Sequence, residues 1–371
     1  LKKVFTAVLS IIMVFTSTAC QKKENKTEVK ASKENFDINI ATNILDSYMG
    51  YIYAGDLENA KKLYSEKLME EGVVVYSTDL KILGYNTEEI NEVGRSGVFK
   101  VKIARSVPEK TIAVLDSYSI KVELEEKDYK ITEINANTEK EAFLEGEGLR
   151  LRDKNNVKNN LIVDMGGIPY YTFPKDDNGK LGKAPVPRKK FGMMVFNYSG
   201  EKIAITTTDN ESTYIGIVKI NETQAAHGGG GGSGNGGAGG GGGDGGGNGA
   251  GGSNTIVKEP PIGKDITSID LIKNATVEAL SFSLEEKHIM VQYSIKDKGT
   301  SLRVYDVDSG ELIDFKFEEE FPMDKVDVKF SSFGEDALNF EVKEKVNTGK
   351  EEANLLGKWQ LDLKEYKVKR L

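Results

Sequence analysis

Apolar and polar positions follow one another along this chain with three different periods. Val4–Phe15 is almost continuously apolar, broken mainly by Thr6 and Ser10. From Phe36 the apolar positions Ile40, Ile44, Leu45, Tyr48, Met49 and Ile52 recur at three- and four-residue spacing. That spacing predicts one buried face of a helix. Gly55-Asp56 interrupts it, and Asp56 is placed to cap a second helix that carries Leu57, Ala60, Leu63, Tyr64 and Leu68 and ends near Gly72. Beyond a mixed stretch the period falls to two over Val98–Arg105, Thr111–Glu123 and Tyr129–Asn135. This alternation predicts antiparallel strands with one wet face.

Further along, a strand–turn–strand pattern repeats. Val195–Ile205, Leu280–Val291 and Val328–Phe340 align on Phe196, Phe282 and Phe330, and each copy is followed by another strand at Tyr214–Ile220, Ser301–Val307 and Lys358–Leu363. The aligned phenylalanines are expected to share one inner-strand position. The copies are about 48 residues apart once Ala225–Ile262 is set aside as an insertion. Within it, Gly228–Gly252 is nearly all glycine, which loses the most backbone freedom on ordering and has no side chain to bury in return. A disordered loop or linker is expected there. Glu145–Pro174 is a candidate for a degenerate further copy.

Three resemblances follow from these residues. Lys2-Lys3, the apolar run and Thr16-Ser17-Thr18-Ala19-Cys20 are similar to a bacterial lipoprotein signal, although Ser17 stands where leucine is usual. The resemblance implies cleavage after Ala19 (signal peptide 1–19) and a diacylated Cys20. An ordinary secretory signal is the alternative. The helix pair, with Tyr53-Ala54-Gly55-Asp56-Leu57-Glu58-Asn59-Ala60 opening the second, and the strands after it resemble an NTF2-like domain. This implies an α+β fold over 36–144, two helices covering a curved antiparallel sheet. Ser301–Leu312, with Asp306-Val307-Asp308-Ser309-Gly310 at a strand turn, resembles a WD40- or TolB-like blade. The implied fold for 145–371 is an all-β domain of propeller-like repeats, with a β-sandwich as the alternative.

Composition narrows the function. The chain has 371 residues and a formal net charge of −8. That balance gives no reason to seek nucleic acid, whose binding is dominated by phosphate neutralisation. With one cysteine, no intrachain disulfide can form. Gln21–Asn35 is polar and charged and reads as a flexible tether, so 20–35 is expected to be a lipidated cysteine and its spacer.

The chemistry-bearing motifs are sparse. The two histidines, His227 and His288, fall beside the glycine tract and at a strand end, so zinc is not expected. Gly231-Gly232-Ser233-Gly234-Asn235 misses the nucleophile elbow, and the glycine tract lacks the Lys-Ser/Thr of a phosphate loop. Asp176-Asp177-Asn178-Gly179 starts like a calcium loop, but Pro187 stands where its bidentate glutamate belongs. The acidic clusters Glu123, Glu125, Glu126 and Glu318–Glu320 are expected to be solvated faces, and Arg188-Lys189-Lys190 is the one compact basic spot.

The sequence therefore predicts an extracytoplasmic protein anchored in the cell membrane through Cys20, with a non-enzymatic binding or scaffold role toward an envelope protein or peptide. No cofactor, metal or catalytic residue is expected. A carboxylate-dependent hydrolase is the alternative.

Overall fold

The computed structural model describes residues 36–72, 79–154, 159–176, 182–222, 259–346 and 352–371. Cys20, His227 and Gly228–Gly252 lie outside the described residues. Residues 37–371 form one compact unit.

The first helix forms as its spacing requires. In α1 (Ile38–Tyr53) Asp37 caps the start, its Oδ1 accepting from Asn39 N at 2.8 Å, and Ala41, Leu45, Tyr48, Met49 and Ile52 are buried. The buried stripe is rotated from the expected one, and Ile40 is exposed. Asp56 caps the next helix, as predicted, but that helix stops early. α2 (Leu57–Lys61) and α3 (Glu66–Glu71) are separated by Tyr64, which forms a bridge to Ile131, and by Ser65, whose Oγ caps α3 by accepting from Leu68 N.

A single long sheet follows, a meander of six antiparallel strands: β1 (Lys81–Val93), β2 (Ser96–Val107), β3 (Ile112–Glu125), β4 (Asp128–Glu145), β5 (Gly148–Asp153) and β6 (Asn160–Asp164). α1 packs on β1–β4. This corrects the expected NTF2-like α+β domain. Among the described residues, one long helix and two short ones lie beside a chain that is otherwise mostly strand, and a fourth helix, α4 (Phe317–Glu320), is a single turn. The apolar stripe of residues 57–68 was too short to outcompete backbone pairing with β4, so a strand bridge replaces the middle of the predicted helix. Glu145–Pro174 is likewise not a further repeat, because β5 pairs with β4 and β6 with β5. The expected boundary between 144 and 145 falls in the β4–β5 hairpin.

After a two-stranded hairpin of β7 (Tyr171–Thr172) and β8 (Ala184–Pro185) come three small antiparallel meanders. The first holds β9 (Lys190–Phe196), β10 (Lys202–Thr208), β11 (Ser212–Ile220) and β12 (Gly263–Lys273). The second holds β13 (Ala275–Phe282), β14 (His288–Ile295) and β15 (Gly299–Asp306). The third holds β16 (Val326–Phe333), β17 (Ala337–Glu344), β18 (Gly357–Asp362) and β19 (Val368–Arg370).

Successive residues of a strand point to opposite faces, and here both faces are apolar. In β10, Ile203 and Ile205 join a core with Leu115, Leu149 and Ile162 of the long sheet, while Ala204 joins a core with Leu280, Ile289 and Tyr293 of the next meander. In β14, Ile289, Val291 and Tyr293 face back into that second core, while Met290 faces a third with Val328, Phe340 and Leu361. The sheets are thus stacked in series, the first and second meanders each sharing one core with the sheet before and another with the sheet after. A two-sheet sandwich, with one core between two sheets, does not describe this arrangement. Three repeats of hairpin-plus-strand are present where the sequence placed them.

The register corrects one detail. Phe196 pairs with Ile203 and Phe282 with Ile289, but the matching pair in the third copy is Phe333 with Leu338. Phe330 pairs instead with Phe340, next to a bulge, and is only partly buried.

Candidate functional site

The end of α1 and the start of β1 do not close against the second and third meanders. They leave two adjoining hollows of about 470 and 640 Å3 that share Tyr53, Ala54 and Phe330. The first is walled by Ile52, Leu57, Leu83 and Ala279 and has Glu278 and Gln292 at its edge. The second is walled by Gly50, Tyr85, Tyr198 and Phe333, with Ser281 and Ser332 among its polar groups and Lys343 and Lys358 on its rim. Each is in the size range of small-molecule or side-chain pockets, about 300–1,000 Å3.

Local structure explains the hollow. β1 is bulged between Ile82 and Gly84, and Gly84 has no side chain where Tyr198 and Ser281 come closest. A Cβ at Gly84 would lie 2.4 Å from the Tyr198 hydroxyl and 2.8 Å from Ser281 Oγ. Asn86 Nδ2 donates to Leu284 O at 3.1 Å and ties β1 to the β13–β14 turn. At Gly50, by contrast, a Cβ would meet nothing within 4 Å, so the helix faces open space there.

The lining is electrically quiet. Burial, with a smaller contribution from Tyr85, pushes the Tyr53 phenol up to about 12. Tyr85 is raised by burial and by the Asp46 charge, and Tyr198 is raised chiefly by burial, its hydroxyl donating to Phe282 O at 3.2 Å. These phenols are neutral hydrogen-bonding groups at ordinary pH. For Glu278, burial raises the pKa, but donation from Ser294, Lys329 and Gln292 outweighs it and holds the carboxyl below its usual value. Gln292 Nε2 donates to Glu278 at 3.0 Å and its Oε1 accepts from Phe330 N at 2.9 Å, so the side chain joins β13 to β16. A glycosidase-type acid must be protonated, with a raised pKa and a second carboxylate about 5–10 Å away. Glu278 has the opposite shift, and among the described residues it is the only carboxylate lining either hollow.

Carboxylates do converge elsewhere. Arg303 on β15 reaches Asp270 on β12 at 2.9 Å, Glu318 on α4 at 2.8 Å and Asp176 at 2.6 Å. Asp270 is fully buried and accepts in addition from Tyr305 at 2.6 Å, Leu271 N at 2.7 Å and Lys175 N at 2.9 Å; Tyr293 also donates to Glu318. Every oxygen of Asp270 is therefore an acceptor. The cluster locks β12, β15, α4 and the strand leading to Asp176 together, and it opens onto neither hollow. Its members are spread over 140 residues of chain; the sequence singled out Asp176 and Glu318 only in separate motifs, a calcium-like loop start and an acidic cluster, with nothing to bring them together.

The other sequence candidates remain dispersed. Glu123 accepts from Ser96 at 2.8 Å and pairs with Lys121, and Glu126 sits at a positive φ of 50° in the β3–β4 turn. His288 is half-buried at the start of β14, its imidazole pKa lowered by burial, rather than fully solvated. The Asp306–Gly310 segment makes the predicted turn: Asp306 Oδ1 accepts from Ser309 N at 2.7 Å, and Gly310 has a φ of +69°. Among the described residues no group of three or more His, Cys, Asp or Glu is arranged to hold a metal, and no helix is long and apolar enough to cross a membrane.

No family model matches the chain, and no curated protein matches it. Among solved structures it overlaps with TolB from Acinetobacter baumannii (9% identity, 69% of this chain and 54% of that one, TM-score 0.32). It also overlaps with a puromycin hydrolase (8%, 76% and 46%, TM-score 0.29) and with a puromycin-hydrolyzing peptidase from Mycobacterium tuberculosis (7%, 77% and 52%, TM-score 0.20). The chain spans about half the length of these proteins. Overlaps of this size leave the fold to be read from the strand order and the cores.

Proposed function

We propose that the chain is a non-enzymatic binding protein of the cell envelope, and that the cleft between α1 and the second and third meanders receives apolar side chains of a partner peptide or protein. The observation that carries this reading is the lining among the described residues: aromatic and aliphatic walls, neutral phenols, and a single carboxylate kept ionised by three donors. Such a lining rewards burial of apolar surface by about 25 cal/mol per Å2 and offers no acid–base pair. Screening an immobilised peptide array tests it. The parent is expected to select peptides bearing aromatic or aliphatic residues. Gly50→Phe, whose Cβ would enter open space, is expected to lose them while keeping its melting midpoint. Hydrolysis of glycoside or ester substrates that disappears in Glu278→Gln would overturn the reading in favour of the hydrolase.

The envelope address rests on the Lys2-Lys3, apolar and Thr16–Cys20 pattern. Expressed in a bacterial host fed a radioactive fatty acid, the parent is expected to be labelled and Cys20→Ala to be unlabelled and released from membranes. Equal labelling of both would refute lipidation at Cys20.

A further inference from the structure

The hairpin of β7 and β8 presents side chains that the packing of the protein does not use. Thr172 and Pro174 point inward and are buried, whereas Tyr171 and Phe173, alternating with them, are 62% and 36% exposed, and Tyr170 is 67% exposed. An outward face made of aromatic rings is the reverse of what a solvated strand needs.

The backbone beneath is held firmly. Val186 N donates to Tyr170 O at 3.0 Å, Lys175 N donates to Asp270 at 2.9 Å, Asp176 pairs with Arg303 at 2.6 Å, and Thr207 donates to Pro187 O at 2.6 Å. The rings are therefore displayed on a fixed support.

Cations surround them. The Arg188 guanidinium lies 4.0 Å from the Tyr170 ring centre and the Lys183 ammonium 5.7 Å from that of Phe173. Lys189 and Lys190 follow directly, both exposed. None of these four cations is in an ion pair among the described residues, although pairs such as Lys140–Glu222, Lys202–Asp308 and Lys364–Asp336 occupy lysines elsewhere. Of the nearby acids, Asp176 is paired with Arg303, Asp164 accepts from Gly167 N at 2.9 Å, and Asp209 accepts from Glu211 N and Ser212 N and feels the charge of Lys189. On a chain of net charge −8 these four residues are a local concentration of positive charge.

We infer that the outer face of the β7–β8 hairpin docks on an anionic lipid surface, with Tyr170, Tyr171 and Phe173 at headgroup depth and Lys183, Arg188, Lys189 and Lys190 on the phosphates. Aromatic rings favour the membrane interface, where one side is apolar and the other wet. Juxtamembrane cations are attracted to anionic lipid, each changing binding about fivefold. None of Tyr170, Tyr171 and Phe173 lines either hollow of the cleft. Rings displayed outside both hollows suit a deformable planar surface better than a protein hot spot, which needs a pocket. The inference does not depend on the cleft or on lipidation of Cys20; an anchor there would add to it by raising the local concentration of membrane.

The test uses residues 21–371, which contain the whole compact unit and no cysteine, so that a single engineered thiol can carry an environment-sensitive dye. With vesicles of phosphatidylglycerol and phosphatidylcholine, dye on Tyr171→Cys is expected to brighten. Dye on Val346→Cys, a fully exposed site outside the hairpin, is expected to stay dark. Pure phosphatidylcholine should give no signal, and raising the salt should reverse binding. In co-sedimentation, Lys183→Glu with Lys190→Glu is expected to weaken binding more than tenfold. Tyr171→Ser with Phe173→Ser should release the protein from anionic vesicles while leaving its thermal midpoint in place. No binding by the parent, equal brightening at both sites, or binding unchanged in both double variants would overturn the inference.

Discussion

At Gly84 the backbone of β1 passes so close to Tyr198 that any side chain must displace something. The hypothetical Cβ sits 2.4 Å from the phenol oxygen, inside the contact distance of real Cβ atoms. Gly84→Ala is therefore expected to cost about 1–3 kcal/mol in urea melts, the usual range for overpacking. Tyr198→Phe in the same chain should recover part of the loss, because it removes the nearest atom while Ser281 remains. Equal costs with and without Tyr198→Phe would mean that the strain lies in the bulged backbone instead. Nothing in the sequence around Gly84 marks it, since its constraint comes from a tyrosine 114 positions away. Asp56, by contrast, was readable as a cap because the groups it bonds are three residues on, with Asn59 N at 3.1 Å.

Elements with local causes were legible, and those stabilised from outside were not. α1 was visible in its spacing, and β2, β3 and β4 in their alternation, although each strand runs further than its apolar pattern. β1 was missed because Thr87–Val93 carries few apolar residues and only hydrogen bonding to β2 holds it in a strand. The third repeat was placed correctly, but its phenylalanine was misassigned. The bulge between Phe330 and Ser332 shifts the register, which spacing alone does not reveal. This has a measurable consequence. Phe196→Ala and Phe282→Ala, each at a fully buried strand end, are expected to cost about 3–5 kcal/mol. So is Phe340→Ala, whose ring stacks edge-on with Phe317 and Phe321. Phe330→Ala should cost distinctly less, because its ring half-faces the cleft. Equal effects at Phe196, Phe282 and Phe330 would contradict the register.

At the scale of the whole molecule, the strands on either side of residues 223–258 are joined without them. Ile220 pairs with Gly263, and Asn221 N donates to Ile262 O at 2.9 Å, so the two ends already meet as an antiparallel hairpin. Replacing residues 223–258 by a short Gly-Ser turn should leave folding intact and slightly raise the melting midpoint, since each halving of a loop saves about 0.6 kcal/mol of closure entropy. A large fall in the midpoint would show that the replaced segment supports the fold. Dividing the chain at 144/145 should do the opposite. The cut separates β4 from β5 and exposes the core shared by Leu115, Leu149 and Ile203.

The sequence by itself determined the local features: the first helix, the Asp56 cap of the second, the period-two strands, the turn at Asp306–Gly310, the three repeats and the export-like pattern ending in Cys20. Each depends on contacts within a few residues or on backbone periodicity, and such information is written along the chain. Only the tertiary structure decided that the residues from 57 to 72 break into two short helices, that β5 and β6 complete the first sheet, and that Arg303 gathers Asp176, Asp270 and Glu318. It also decided that a cleft opens beside Gly84 and that the aromatic face of β7 is left outside. Those outcomes depend on which surfaces meet across a hundred or more residues. Strands apolar on both faces will pack against any neighbour of suitable shape, so their order in space follows from the stacking of the sheets and not from the pattern within any one of them.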